Sequence, residues 1–214
     1  MTEGQARVGV VDAVRRLDAC GLNHGSTGNA SQRWADGMLI TPTGMGAELA
    51  AGDLVFVADD GTVQGCWQPS SEWQFHRAVY RARPDVQAVL HTHAVHATAL
   101  GCLGRALPAF HYMVATAGGD DVPLVPYATF GSEALSSGVA AALSRRDACL
   151  LAQHGLVSCG ATMAHALKVM VEIESLCQIY LLALPVAEPT VLPADEMARV
   201  IEKFRIYGRR QSSG

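Results

Sequence analysis

Three histidines are placed where side chains could meet around a metal. His91-Thr92-His93 closes the apolar run Val86-Gln87-Ala88-Val89-Leu90, which reads as a strand over 86–92. Residues i and i+2 of a strand project from one face, so both imidazoles aim at one point. Two ring nitrogens at about 2.0–2.1 Å from a shared zinc ion need that convergence. His154 offers a third nitrogen, following the apolar run 148–151 and preceding Gly155. Three protein ligands with one position left open describe a catalytic zinc site rather than a structural one. An isolated H-x-H is weak by itself, and ordinary strand-end histidines are the alternative. Among the other five histidines, none of which has a paired neighbour, His24 and His165 read as surface groups. His96 and His111 lie close enough in sequence to orient ligands through hydrogen bonds, and His76 carries no signal.

Small polar loops fall in the first third of the chain: 25–31, Thr41-Pro42-Thr43-Gly44, and Pro69-Ser70-Ser71. Small residues let backbone N–H groups approach an oxyanion, hydroxyls donate further bonds, and a helix N-terminus favours negative charge. Each loop alone could be a plain turn or cap. Together, without a lysine or arginine cluster, they suggest a phosphate held mainly by neutral donors. Neither G-x-x-x-x-G-K-[ST] nor a strand-linked G-x-G-x-x-G occurs, which disfavours a nucleotide. Glu72 follows the serines at a helix start. It either complements the helix dipole or stands beside metal and phosphate, where partial burial would raise its pKa toward neutrality for proton transfer.

The elements that must position these residues read as an α/β chain. Helices are expected over 5–20, 70–81 with Ser70 or Ser71 as cap, 94–103, 132–143, 162–184 and 194–207. Strands are expected over 30–33, 38–40, 54–57, 86–92, 122–125 and 150–153, with Asp59-Asp60-Gly61 as a hairpin signal. The hairpin spacing favours a mixed or antiparallel sheet. At 214 residues with no dividing linker, 1–214 reads as one domain. Hydrophobic residues make up 50% and charged residues 17%, enough for a sizeable core. A net charge of -4 without a dense basic stretch makes nucleic acid an unsuitable partner. The longest apolar run is too short for a bilayer, and the opening residues lack the order of a secretory signal. A cytoplasmic chain without membrane contact is therefore expected. The six cysteines form no C-x-x-C pair and read as buried thiols.

Gly28-Asn29, Thr41-Pro42-Thr43-Gly44, Pro69-Ser70-Ser71-Glu72-Trp73, His91-x-His93-Ala94-Val95-His96, His111-Tyr112-Met113, 126–131, His154-Gly155-Leu156 and 203–208 resemble, in order, the class II aldolase/adducin family over nearly the whole chain. The resemblance implies a three-layer α/β/α sandwich and a zinc ion held by Glu72, His91, His93 and His154, with Glu72 as acid/base. It implies a phosphate pocket from Asn29, Thr43, Gly44, Ser70 and Ser71. Tyr112 would handle the aldehyde-oxygen proton, Phe130 would line the aldehyde side, and Phe204 and Tyr207 in a tail over 194–214 would close the site. It also implies a cyclic homotetramer with active sites at subunit interfaces. The segment Ala152-Gln153-His154 and the turn 118–121 depart from the family pattern.

Retro-aldol cleavage leaves a carbanion beside a ketone. A Schiff base would need a buried lysine, yet Lys168 and Lys203 are the only lysines and both lie on expected helices away from the site. A Lewis acid is the other solution. The expected reaction is C3–C4 cleavage of a ketose 1-phosphate, such as L-fuculose 1-phosphate, to dihydroxyacetone phosphate and a short aldehyde. The competing readings are an aldolase or dehydratase of methylthioribulose or deoxyribulose phosphate, a pentulose-phosphate 4-epimerase, and a non-enzymatic adducin-like module.

Overall fold

The computed structural model describes residues 1–206. Helix α1 (Glu3–Ala19) opens on a capping box, in which the Thr2 hydroxyl accepts from the Gln5 N–H and the Gln5 side chain accepts from the Thr2 N–H. Strands β1 (Asn29–Trp34), β2 (Gly37–Ile40), β3 (Val55–Ala58) and β4 (Val63–Gln64) then form an antiparallel meander. After α2 (Trp73–Ala82) come β5 (Ala88–Thr92), α3 (Val95–Cys102), a 3-10 helix (Tyr112–Ala117), β6 (Leu124–Val125) and α4 (Glu133–Ala142). The rest is β7 (Ala148–Leu151), β8 (Gly155–Gly160), α5 (Met163–Ala183) and α6 (Ala194–Ile206). The strands make one eight-stranded sheet in the order β4-β3-β2-β1-β5-β8-β7-β6, and only the β6–β7 pair is parallel.

Helices cover both faces, as side-chain alternation requires. Ala88 and Leu90 of β5, Ala148 and Leu150 of β7, and Leu156 of β8 join the core beneath α1, α3 and α5. Their alternates Val89, Cys149, Leu151 and Val157 face Phe75 and Val79 of α2 and Leu135 and Val139 of α4. The sheet is therefore the middle layer of an α/β/α sandwich, with its central strands buried on both sides.

Several expectations are corrected. Strand β8 was not anticipated, because a six-residue run bounded by glycines carries little length or periodicity. Helix α2 starts at Trp73, and neither serine caps it: Glu72 holds the cap position without a side-chain bond, while the Ser70 hydroxyl accepts from the Glu72 N–H at 3.3 Å. Val86 is spent in a turn, its N–H bonded to the Arg83 carbonyl, so β5 begins at Ala88. Cys149, Cys159 and Cys177 are buried thiols, but Cys20, Cys66 and Cys102 are exposed at helix ends and in the loop after β4. Tyr207 and the rest of the expected closing tail lie outside the described residues.

Candidate metal centre and anion pocket

The sheet places the three imidazoles at one rim. His91 is fully buried in β5, and His93 lies just past the end of that strand. His154 sits in the three-residue turn 152–154 joining β7 to β8. The three rings stand edge-on to one another, with centroids 5.0 Å (His91–His93), 4.8 Å (His91–His154) and 5.1 Å (His93–His154) apart. Their ligand nitrogens all lie within 4.8 Å of one another. The turn is strained: Gln153, a non-glycine residue, adopts φ 50° to deliver His154. Gly155 is equally constrained. A Cβ there would stand 2.3 Å from the Thr92 carbonyl oxygen, 3.1 Å from His91 and 3.3 Å from His93, so only glycine lets β7–β8 press this close to the ligands.

Glu72 completes the cluster. Its Oε2 lies 3.3 Å from His91 Nε2, and its Oε1 lies 3.2 Å from His154 Nε2. The Asn29 amide, paired with His91 in the β1–β5 register, donates to Glu72 Oε2 at 3.0 Å. His91 Nδ1 faces the Leu156 carbonyl at 3.0 Å, which fixes the proton on Nδ1 and leaves the Nε2 lone pair pointing into the cluster. Nε2 of His91 and Oε1 of Glu72 are buried and make no hydrogen bond among the described residues. Orphaned buried groups of this kind cost about 1–3 kcal/mol each unless something satisfies them, and a divalent cation fits both.

Protonation suits a cation as well. Burial pushes His91 down to about 4, against the opposing pull of the Glu72 carboxylate, and it also lowers His93. Burial pushes the Glu72 carboxyl up, but His91, His154 and Asn29 outweigh it and hold the group at about 2. The expected rise toward neutrality is therefore reversed. Neutral imidazoles beside an ionised carboxylate are the ligand forms a metal takes.

Beside the cluster is a cavity of about 370 Å³ lined by Asn29, Thr43, Gly44, Ser70, Ser71, Glu72, His93 and His154, together with Tyr127, Phe130 and Gln153. A bridge between Pro42 and Pro69, with Ser70 N–H to the Thr41 carbonyl at 2.9 Å, clips two of the polar loops together. No lysine or arginine lines the cavity among the described residues. Tyr112 is exposed on the 3-10 helix and does not line this cavity. Phe204 lines a different hollow, with Ala115, Lys168 and Ile201. Both lysines are exposed, and neither lines this cavity. His96 turns to Glu174 (2.8 Å) and His111 accepts from the Met113 N–H, so neither orients the cluster as expected. His24 and His165 are exposed, as anticipated. The unanticipated member is His76, fully buried, which contacts Asn29 Oδ1 at 2.5 Å.

An α/β/α sandwich with a three-imidazole, one-carboxylate cluster at the sheet rim, opening on a polar cavity without lysine or arginine, has the donor set of a metal-dependent enzyme. The model of the Class II Aldolase and Adducin N-terminal domain matches residues 8–181, and the chain belongs to that family. It is 52% identical over 203 residues to the 5-methylthioribulose-1-phosphate/5-deoxyribulose-1-phosphate aldolase of Rhodospirillum rubrum, covering 94% of this chain and 92% of that one. It is 48% identical to the L-fuculose phosphate aldolase of Escherichia coli K12, covering 94% of each. A solved L-fuculose 1-phosphate aldolase superposes with a TM-score of 0.91 at 37% identity, over 94% of this chain and 96% of that one. The protein is thus a class II aldolase, an enzyme class that uses a divalent metal. No described helix is long and apolar enough to cross a membrane.

Proposed function

We propose that the chain is a zinc-dependent aldolase that splits the C3–C4 bond of a ketose 1-phosphate into dihydroxyacetone phosphate and a short aldehyde. The observation that carries this reading is that His91 Nε2 and Glu72 Oε1 are buried without a hydrogen bond among the described residues, beside a cavity lined by small neutral donors. His91, His93, His154 and Glu72 hold the zinc, which when bound supplies Lewis-acid polarisation of the ketone. Thr43, Gly44, Ser70, Ser71 and the second N–H of Asn29 hold the phosphate. As the C3–C4 bond breaks, its electron pair passes to C3 and spreads into the C2 ketone as an enediolate. The C4 hydroxyl proton leaves through Tyr112 to solvent, while Glu72, ionised at rest, takes up one proton, delivers it to C3 and returns to its ionised form, so protons lost and gained balance.

Tyr112 does not reach the cavity of its own chain, which supports a homo-oligomer, a tetramer in our reading, in which a neighbouring copy supplies it. Phe204 and Tyr207 would then close the site from the C-terminal segment of the single 1–214 unit. The distal half of the sugar meets Tyr127, Ala128 and Phe130. That apolar lining suits a ketose phosphate ending in a deoxy or methylthio carbon. L-fuculose 1-phosphate and the methylthioribulose and deoxyribulose 1-phosphates fit that description, and the two aldolase relatives act on substrates so named. The setting is the cytoplasm. Product identification across these ketose 1-phosphates is the test. Dihydroxyacetone phosphate and aldehyde in equal amounts are expected, whereas loss of water without fragmentation would assign a dehydratase instead.

A further inference from the structure

We propose that His76 is a positioning residue for Glu72, acting through Asn29 at the head of a one-way chain of hydrogen bonds that begins at Tyr80 in the core. Glu72, His76 and Tyr80 recur at intervals of four and so share one helical face. Asn29 and Ser31 alternate on one face of β1. Where these faces meet, Asn29 Nδ2 is 3.0 Å from Glu72 Oε2 and Asn29 Oδ1 is 2.5 Å from His76 Nε2. His76 Nδ1 is 2.7 Å from Ser31 Oγ, which is 2.8 Å from the Tyr80 hydroxyl.

The direction of every bond is forced from one end. An ionised carboxylate only accepts, so the Asn29 amide must present its NH2 to Glu72 and its carbonyl to His76. His76 therefore carries its proton on Nε2 and accepts at Nδ1. The Ser31 hydroxyl must donate to Nδ1, and Tyr80 must donate to Ser31. His76, Ser31 and Tyr80 are all buried, so no solvent donor competes. Phe75 stacks on the His76 ring at 4.5 Å between centroids and meets His91 edge-on at 5.7 Å, which ties the chain to the imidazole cluster. The outcome is a carboxylate pinned through Oε2, which also faces His91, with Oε1 left facing His154.

This inference rests on the proposed role of Glu72, and its test can be read without turnover. Zinc dissociation constants from chelator competition and steady-state cleavage are measured for His76→Gln and His76→Asn, each alone and combined with Glu72→Gln. A glutamine amide nitrogen can take the place of Nε2 and still donate to Asn29, whereas an asparagine amide reaches only Ser31. His76→Asn should weaken zinc binding and lower kcat about tenfold each, with KM nearly unchanged, and His76→Gln should restore both to within about threefold. In the Glu72→Gln background the asparagine penalty on zinc should shrink below about twofold, since the route to the ligand is gone. Equal losses in both variants, or a penalty undiminished by Glu72→Gln, would overturn the proposal. Should His76→Asn fail to fold, Ser31→Ala serves: a loss of about threefold in zinc affinity confined to the Glu72 background is expected, and no coupling overturns the role. A chain showing this coupling in zinc binding while cleaving no ketose phosphate would refute the proposed function and leave His76 its role.

Discussion

At the scale of single residues, the structure assigns opposite demands to neighbouring groups: the imidazoles must stay neutral and the carboxylate must stay charged. Glu72→Gln keeps the shape but removes the group that takes up the proton and delivers it, and kcat should fall by about 10²–10⁴-fold in steady-state assays. The same buried groups set the acid response of the metal-free protein. His91 and His76, with ordinary values of 6.5, are pushed by burial down to about 4 and about 3. The unfolded chain therefore binds more protons than the fold, and stability falls as pH drops from about 6.5 toward 4. Glu72, held at about 2, adds a loss in the same direction below its ordinary 4.5. Thermal melts of metal-stripped protein should show Tm declining through that window. A Tm flat from pH 6.5 to 4 would contradict the burial argument.

At the scale of elements, the site depends on how closely β5 and the β7–β8 turn approach. Gly155→Ala drives a methyl into the Thr92 carbonyl, and it should cost about 1–3 kcal/mol of stability and abolish stoichiometric metal binding, read by denaturant melts and elemental analysis. Gln153→Gly should act oppositely on stability, relieving about 1 kcal/mol of left-handed strain while loosening His154 and weakening the metal. Much of this scale was legible in sequence. The H-x-H at a strand end brought two imidazoles to one point, because strand alternation leaves them little choice. The polar loops marked the pocket, because small residues at turns are where backbone can approach an anion. Strand β8 escaped because it is short and glycine-bounded. His76 escaped because a lone histidine inside a helix looks like any other, although its spacing of four from Glu72 and Tyr80 was available as a signal. The fall in the Glu72 pKa escaped because its cause, two imidazoles and an amide from distant segments, exists only in the fold.

At the scale of the whole molecule, Tyr127 and Phe130 at the cavity wall and Tyr112 on the 3-10 helix are each half-exposed or more. Large apolar groups in such a place suit burial by a second copy. If a neighbour supplies Tyr112, co-refolding inactive Glu72→Gln with inactive Tyr112→Phe should regenerate about a quarter of native activity, as random assembly of a closed ring implies. Mixtures as inactive as their parents would confine the site to one chain. Whether three imidazoles and Glu72 hold the one cation on which cleavage depends is read by titrating chelator-stripped protein with zinc while following dihydroxyacetone phosphate release. No turnover is expected at zero metal, followed by a linear rise that breaks at one zinc per chain. Full cleavage by the stripped protein would contradict it.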